Sequence, residues 1–307
     1  MRFTTTYFVN LLFTIAFMAL NIQTFKTRAL TAVIFVVVML AGLFINQWSF
    51  FLLFSIIHFG CWFEYQKLVG LIDKEYQQIN TLHKYGVMIA GFGFMLWMLN
   101  DTYNVNDLPL HEVGWWILVV AAIALPIQEI LFSKKPNAKL IAHSFFGLLY
   151  ISLSWGLMMS LRSMSTGLLV PVVLIASIWI NDTMAYIVGS FIGKTPLSKI
   201  SPKKTWEGTI GGAILAVVVV GFLIAPLLIG NSAFNVTEQV ATYHWFVIAA
   251  IGAIVGTIGD LLESKLKRLA GVKDSGSFMP GHGGFLDRFD SLILATPFAW
   301  LYLQLFL

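Results

Sequence analysis

Long apolar runs fill most of the chain, and short polar stretches separate them. Ten runs approach the roughly 20 apolar residues that a membrane-spanning helix needs: 7–23, 30–45, 48–63, 85–99, 113–131, 140–161, 166–188, 209–229, 243–258 and 291–307. The pattern predicts an all-α polytopic membrane protein with about ten transmembrane helices. The first run has only Arg2 ahead of it and no clear small-x-small cleavage site behind it, so it reads as a retained helix rather than a signal peptide. No repeat, low-complexity tract or long polar linker interrupts the pattern, and one continuous membrane domain is expected.

Composition agrees. Of 307 residues, 58% are hydrophobic and 11% charged, with mean hydropathy +0.82; a soluble domain carries about a quarter charged residues. An aromatic content of 15% excludes a disordered chain. The single cysteine, Cys61, excludes an intramolecular disulfide and a cysteine-based zinc site.

Charge placement sets an orientation. The net charge is +4, but the basic residues cluster between apolar runs, which points to membrane topology and not to nucleic acid. Lys26 and Arg28; Lys67, Lys74 and Lys84; Lys134, Lys135 and Lys139; Lys194, Lys199, Lys203 and Lys204; and Lys265, Lys267, Arg268, Lys273 and Arg288 occupy alternate loops. Together they make 17 of the 19 basic residues, all but Arg2 and Arg162. The opposite loops carry Asp101, Asp107, Glu112 and Glu238. Lysine and arginine mark the cytoplasmic side, so these alternate loops are expected there. The sequon Asn235-Val-Thr237 falls in an outer loop and reads as chance.

Two of the cytoplasmic stretches, 181–212 and 259–291, are more than connectors. They hold Asp182, Glu207, Asp260, Glu263, Asp274, Asp287 and Asp290. Asp260, Glu263, Ser264 and Lys267 share one helical face, with Leu261, Leu262, Leu266 and Leu269 on the other, so the 243–258 helix is expected to continue out of the membrane. The segment Lys273-Asp-Ser-Gly276 and then Pro280-Gly-His-Gly-Gly284 is turn-rich, and its glycines would let backbone amides approach a phosphate. Asp287, Asp290 and Ser291 fall at i, i+3 and i+4, and two carboxylates on one face repel unless a cation sits between them. Asp182 ends the 166–188 run, with Tyr186, Gly189 and Gly193 in a helical stripe beyond it. Ser201 followed by Pro202 predicts a helix N-terminus carrying Lys203 and Lys204, an anion site. Gly208 and Gly212 form a GxxxG pair suited to close helix packing. Carboxylates, lysines and a glycine-rich loop at a membrane face suggest metal-assisted chemistry on the phosphates of an anionic lipid.

The run Ser264-Lys-Leu-Lys-Arg268, then Lys273-Asp274, then His282-Gly-Gly-Phe-Leu-Asp-Arg-Phe-Asp290 resembles the signature of the phosphatidate cytidylyltransferase (CDP-diacylglycerol synthase) family. Ser201-Pro-Lys-Lys-Thr-Trp-Glu-Gly208 and the Asp182, Tyr186, Gly189 stripe resemble its other motifs. The likeness covers 179–291, and Met279 stands where the family usually has Leu, Ile or Phe. It implies a catalytic region over 171–307, with 1–170 forming a weakly specified lipid cavity. It also implies the conversion of CTP and phosphatidate to CDP-diacylglycerol and pyrophosphate with Mg²⁺, and room for a second cation. Motif matching then assigns metal binding to Asp260, Asp287 and Asp290, supported by Asp182. Lys203, Lys204, Lys267, Arg268 and Lys273 would hold phosphates, and His282, Gly283 and Gly284 would form the phosphate loop. Asp274 is a metal ligand or a partner of Lys273, and Ser201, Glu207, Ser264 and Arg288 are further binding positions. Expected partners are CTP, phosphatidate or a related lipid phosphate, and membrane lipids, with a homodimer suggested only by the GxxxG pair. The implied location is a bacterial inner membrane, with the site facing the cytoplasm. Rival readings are CTP-dependent activation of an isoprenoid lipid phosphate, a transporter, or a non-catalytic scaffold.

Overall fold

The computed structural model describes residues 22–132, 137–229, 240–279 and 283–307. Most of the 7–23 run, the 235–237 sequon and His282 lie outside them. Among the described residues there are nine helices: α1 (Ile22–Phe44), α2 (Gln47–Ile72), α3 (Thr81–Trp97), α4 (Leu110–Phe132), α5 (Ala138–Ser163), α6 (Leu169–Ile192), α7 (Trp206–Ile229), α8 (Thr242–Leu269) and α9 (Leu286–Phe306). The all-α expectation is met, save for a two-residue hairpin, β1 (Asn104–Val105) and β2 (Leu108–Pro109). Asn106 and Asp107 turn it with positive φ, as a two-residue hairpin loop requires.

Six helices, α4 to α9, are long and apolar enough to cross a membrane. The expected count of ten is not reached among the described residues. The runs at 30–45, 48–63 and 85–99 are helical, but the apolar part of α1 is short (Ala29–Phe44) and α3 has only 17 residues. The long α2 buries polar groups instead: Ser55, His58 and Glu64.

Local chemistry explains several helix ends. Asn46 and Ser49 form a reciprocal capping box at the start of α2 (2.9 and 3.0 Å). Asp73 closes α2 and caps the following 3₁₀ turn through Glu75 N–H. The core is aromatic and aliphatic, with Trp62, Trp155, Trp245 and Phe54 fully buried, while Leu52, Phe63, Ile130 and Phe191 point outward. Such an apolar exterior suits lipid as solvent. α8 runs through the middle of the C-terminal half, packing on α6, α7 and α9, while α9 also packs on α5.

At 28 residues, α8 extends about 42 Å, beyond a hydrocarbon core of about 30 Å. The helix continues past the 243–258 apolar run to Leu269, as the sequence predicts. In this segment the polar face turns inward: Glu263 is fully buried, while Leu269 is 59% exposed.

Candidate active site

α8 and α9 bring the main acids together. Ligand oxygens of Asp260, Glu263 and Asp290 all lie within 4.8 Å of one another. Asp260 and Glu263 meet because they are one helical turn apart. Asp290 arrives from α9, where Gly259 lets the two backbones approach: a Cβ there would stand 2.5 Å from the Asp290 carbonyl oxygen. Glu263 Oε1 is buried and has no hydrogen-bond partner among the described residues. Three carboxylates at this spacing, one with an unsatisfied oxygen, form the donor set that a hard divalent cation takes. Their mutual repulsion favours a cation between them.

Two lysines edge the cluster. Lys204 is ion-paired with Asp260. Lys267 Nζ lies 2.5 Å from Glu263 Oε2 and 2.6 Å from Asp287 Oδ1. Ser264 Oγ donates to Asp260 Oδ1 at 3.3 Å. Beside Asp260 opens a cavity of about 400 Å³, lined by Asn181, Asp182, Ser201, Lys203, Lys204 and Thr257 among others. Asp182 reaches this cavity from the middle of α6, which runs on to Ile192; the expectation that it ends its helix is corrected.

The expected helix start at Ser201-Pro202 is also corrected. Residues 201–204 form a turn, and α7 begins at Trp206, with Thr205 as its cap: Thr205 Oγ1 accepts from Gly208 N–H at 3.2 Å. Thr205 also pairs with Pro196 across the loop. Lys203 and Lys204 thus ride on a closed loop and not on a helix N-terminus. Glu207 closes that loop, accepting from Lys194 N–H and from Thr195 N–H and Oγ1 (2.8–3.2 Å). It braces the loop instead of facing the acids.

Asp287, one turn before Asp290, has different neighbours. Its Oδ2 accepts from Ser275 N–H (2.9 Å), Ser275 Oγ (2.9 Å) and Gly284 N–H (2.8 Å), and its Oδ1 takes Lys267. The metal role assigned to Asp287 therefore competes with four donors. Gly283, at φ +86, suits only glycine, and a Cβ there would also run into Asp287. The amide of Gly284 is spent on Asp287, so in this structure the glycines serve a carboxylate. Arg268 Nη1 donates to Val272 O (3.3 Å) at the end of α8, and Lys273, Asp274 and Arg288 are exposed.

Sequence reasoning passed over Glu64. This buried α2 residue accepts from Ser275 Oγ (2.7 Å), Phe285 N–H (2.9 Å) and Leu286 N–H (2.9 Å). A signal was present: an ionisable residue at the edge of an apolar run is functional by default. Its sequence distance from the motifs hid it.

A family model described as the cytidylyltransferase family matches residues 26–306. The chain belongs to that family. It is 32% identical to a phosphatidate cytidylyltransferase of Staphylococcus saprophyticus over 282 residues, covering 89% of this chain and 96% of the relative. It is 29% identical over 295 residues to one from Haemophilus influenzae, with the same coverages. A third, from Thermotoga maritima, is 30% identical over 261 residues, covering 80% and 90%. Family membership makes the chain a nucleotidyltransferase, and the apolar helices place it among membrane proteins.

Proposed function

We propose that this chain transfers the cytidylyl group of CTP to phosphatidate, giving CDP-diacylglycerol and pyrophosphate. The convergence of Asp260, Glu263 and Asp290 beside a lysine-lined cavity toward the C-terminal end of α8 carries this reading, and the names of the relatives agree with it. A phosphate oxygen of the lipid forms the new bond to the α-phosphorus of CTP. The bond from that phosphorus to the β-phosphate oxygen breaks, and pyrophosphate leaves with the electron pair. No general base is needed, because the lipid phosphate is already ionised at neutral pH.

The work of the protein is positioning and charge neutralisation. Asp260, Glu263 and Asp290 fit Mg²⁺, with Asp182 close by across the cavity. When bound, the cation would supply neutralisation of the phosphate charges. Lys203 and Lys204 bring positive charge to the cavity wall, where the triphosphate fits. Lys267 holds Glu263 and Asp287 in register. The excess of basic residues in alternate loops supports a cytoplasmic site, and the bacterial relatives support an inner-membrane location.

The test is pyrophosphate release by the purified protein with CTP, Mg²⁺ and phosphatidate, using EDTA and Asp287→Asn as controls. Release that requires all three components and fails in both controls is expected. Release only with a polyprenyl phosphate would keep the chemistry and replace the lipid. Silence with every lipid phosphate would overturn the reading.

A further inference from the structure

Gly60 and Glu64 lie one turn apart on α2 and both meet the start of α9 from the other half of the chain. Gly60 leaves room for the Phe285 ring, which a Cβ there would strike. The Glu64 carboxylate takes the two amides at the start of α9, Phe285 on Oε1 and Leu286 on Oε2, where the helix dipole also favours an anion. Oε2 takes the Ser275 hydroxyl as well. A Cβ on Gly276 or Gly284 would enter the space of this carboxylate. Among the described residues no lysine or arginine pairs with Glu64; hydrogen bonds satisfy it.

From Ser275 the contacts continue. Its Oγ is 2.7 Å from Glu64 Oε2 and 2.9 Å from Asp287 Oδ2. A hydroxyl has one hydrogen, so Ser275 serves one carboxylate at a time. Asp287 holds Lys267, and Lys267 holds Glu263 of the acid cluster. α9 also carries Asp290 one turn beyond Asp287, so the setting of its first turn fixes where Asp290 points.

We infer that Glu64 is a positioning residue for the reaction: it fixes the first turn of α9 and Ser275, and so sets Asp290 against Asp260 and Glu263. This rests on the cation role proposed for those three acids. Glu64 reaches them only through α9 and through Ser275, Asp287 and Lys267, and it does not line the cavity that holds Lys203 and Lys204. Its loss therefore acts on cation binding and turnover and leaves CTP affinity alone. Partners that orient metal ligands are typically worth 10–100-fold in affinity or activity.

The test is Glu64→Gln in the full-length protein in detergent. Gln keeps the shape but has one acceptor oxygen in place of two, and it adds an NH₂ that faces backbone donors. Mn²⁺ is titrated without substrates by electron paramagnetic resonance, and turnover per folded molecule is measured against CTP and Mg²⁺. The expected result is Mn²⁺ affinity and kcat each lower by about tenfold or more. The Mg²⁺ requirement should be higher and KM for CTP within about twofold of the parent. Mn²⁺ affinity and kcat both within twofold of the parent, with only the melting temperature lowered, would make Glu64 a structural anchor and overturn the inference. Where Glu64→Gln fails to fold, Ser275→Ala cuts the link between Glu64 and Asp287 while leaving both helix-start amides on Glu64. It should lower Mn²⁺ affinity in the same direction by a smaller factor, and an unchanged affinity would overturn the inference. A parent that binds Mn²⁺ but releases no pyrophosphate with any lipid phosphate would sink the proposed function, while the titration would still decide the role of Glu64.

Discussion

The N-terminal half has a polar cluster of its own, in which Asp73, His83 and Glu129 are buried and Lys139 stands at the surface. Asp73 Oδ2 is 2.8 Å from Lys139 Nζ and 3.5 Å from His143 Nε2, and His83 sits between Ser144 Oγ (2.9 Å) and Glu129 Oε2 (3.4 Å). Each acid there faces a base across a helix–helix boundary. The C-terminal cluster is built differently. Asp182, Asp260, Glu263, Asp287 and Asp290 gather around Lys204 and Lys267, beside an open cavity. Burial of ionisable groups is common to both clusters, so burial does not distinguish a site from a fastening. The balance of charge does. A paired cluster holds helices together, whereas an excess of acid beside a cavity leaves charge for a cation to neutralise.

The largest test of this contrast is Asp290→Asn. Turnover should fall at least about a hundredfold, the scale of losing one preorganised electrostatic group. The melting temperature in detergent should hold or rise, because repulsion from Asp260 and Glu263 is relieved. A clear drop in melting temperature would place this cluster with the N-terminal one.

Asp287→Asn is next. It breaks the pair with Lys267 inside the fold, so both turnover and stability should fall. The stability loss should be about 3 kcal/mol, as for a buried pair left with one charge, and is read by denaturant unfolding. Lys204→Ala should raise KM for CTP about tenfold, the worth of one charge-assisted hydrogen bond of roughly 1.5 kcal/mol, with kcat nearly unchanged. An unaltered KM would remove Lys204 from the phosphate wall.

Asp73→Asn should have the smallest effect on function: unchanged turnover per folded molecule and a lower melting temperature. The hydrogen bond from Lys139 holds the Asp73 carboxyl below its ordinary range. Its stabilisation is therefore complete above the unfolded carboxylate pKa of about 3.9 and is lost as pH falls through the lower folded value. Melting curves of parent and variant should converge on acidification, and a gap that persists in strong acid would exclude this ion pair as the cause.

How much of this was readable from sequence differs between the elements. The helical runs were legible because apolar runs of this length leave few alternatives, and the continuation of α8 to Leu269 followed from the i, i+3, i+4, i+7 placement of Asp260, Glu263, Ser264 and Lys267. The start of α7 was not: Ser201-Pro202 and Thr205 are both sound caps in isolation, and the choice was made by the loop closure of Glu207 onto Thr195 and of Pro196 onto Thr205. The acids were all visible, but their partners were not. Spacing alone grouped Asp287 with Asp290, whereas the fold gives Asp287 to Ser275, Gly284 and Lys267 and brings Glu263 to Asp290. Glu64 lay beyond local reasoning, since its partners are 211 to 222 residues away. The GxxxG pair was read correctly as a packing device, but it is consumed within the chain, against Ala185 and Gly189, and so lends no weight to a dimer.

That last contact has a mechanical consequence. A Cβ on Gly208 would stand 2.6 Å from the Ala185 carbonyl, and one on Gly212 would stand 2.7 Å from the Ala185 amide nitrogen. Nothing larger than hydrogen fits between α6 and α7 there, so the two helices act as a single stiff strut. The width of the cavity beside Asp260 is then governed by the short loop that carries Lys203 and Lys204 and by the tilt of α8. A methyl group added at either glycine would work as a wedge, prying Asp182 away from Asp260 without altering one charged residue.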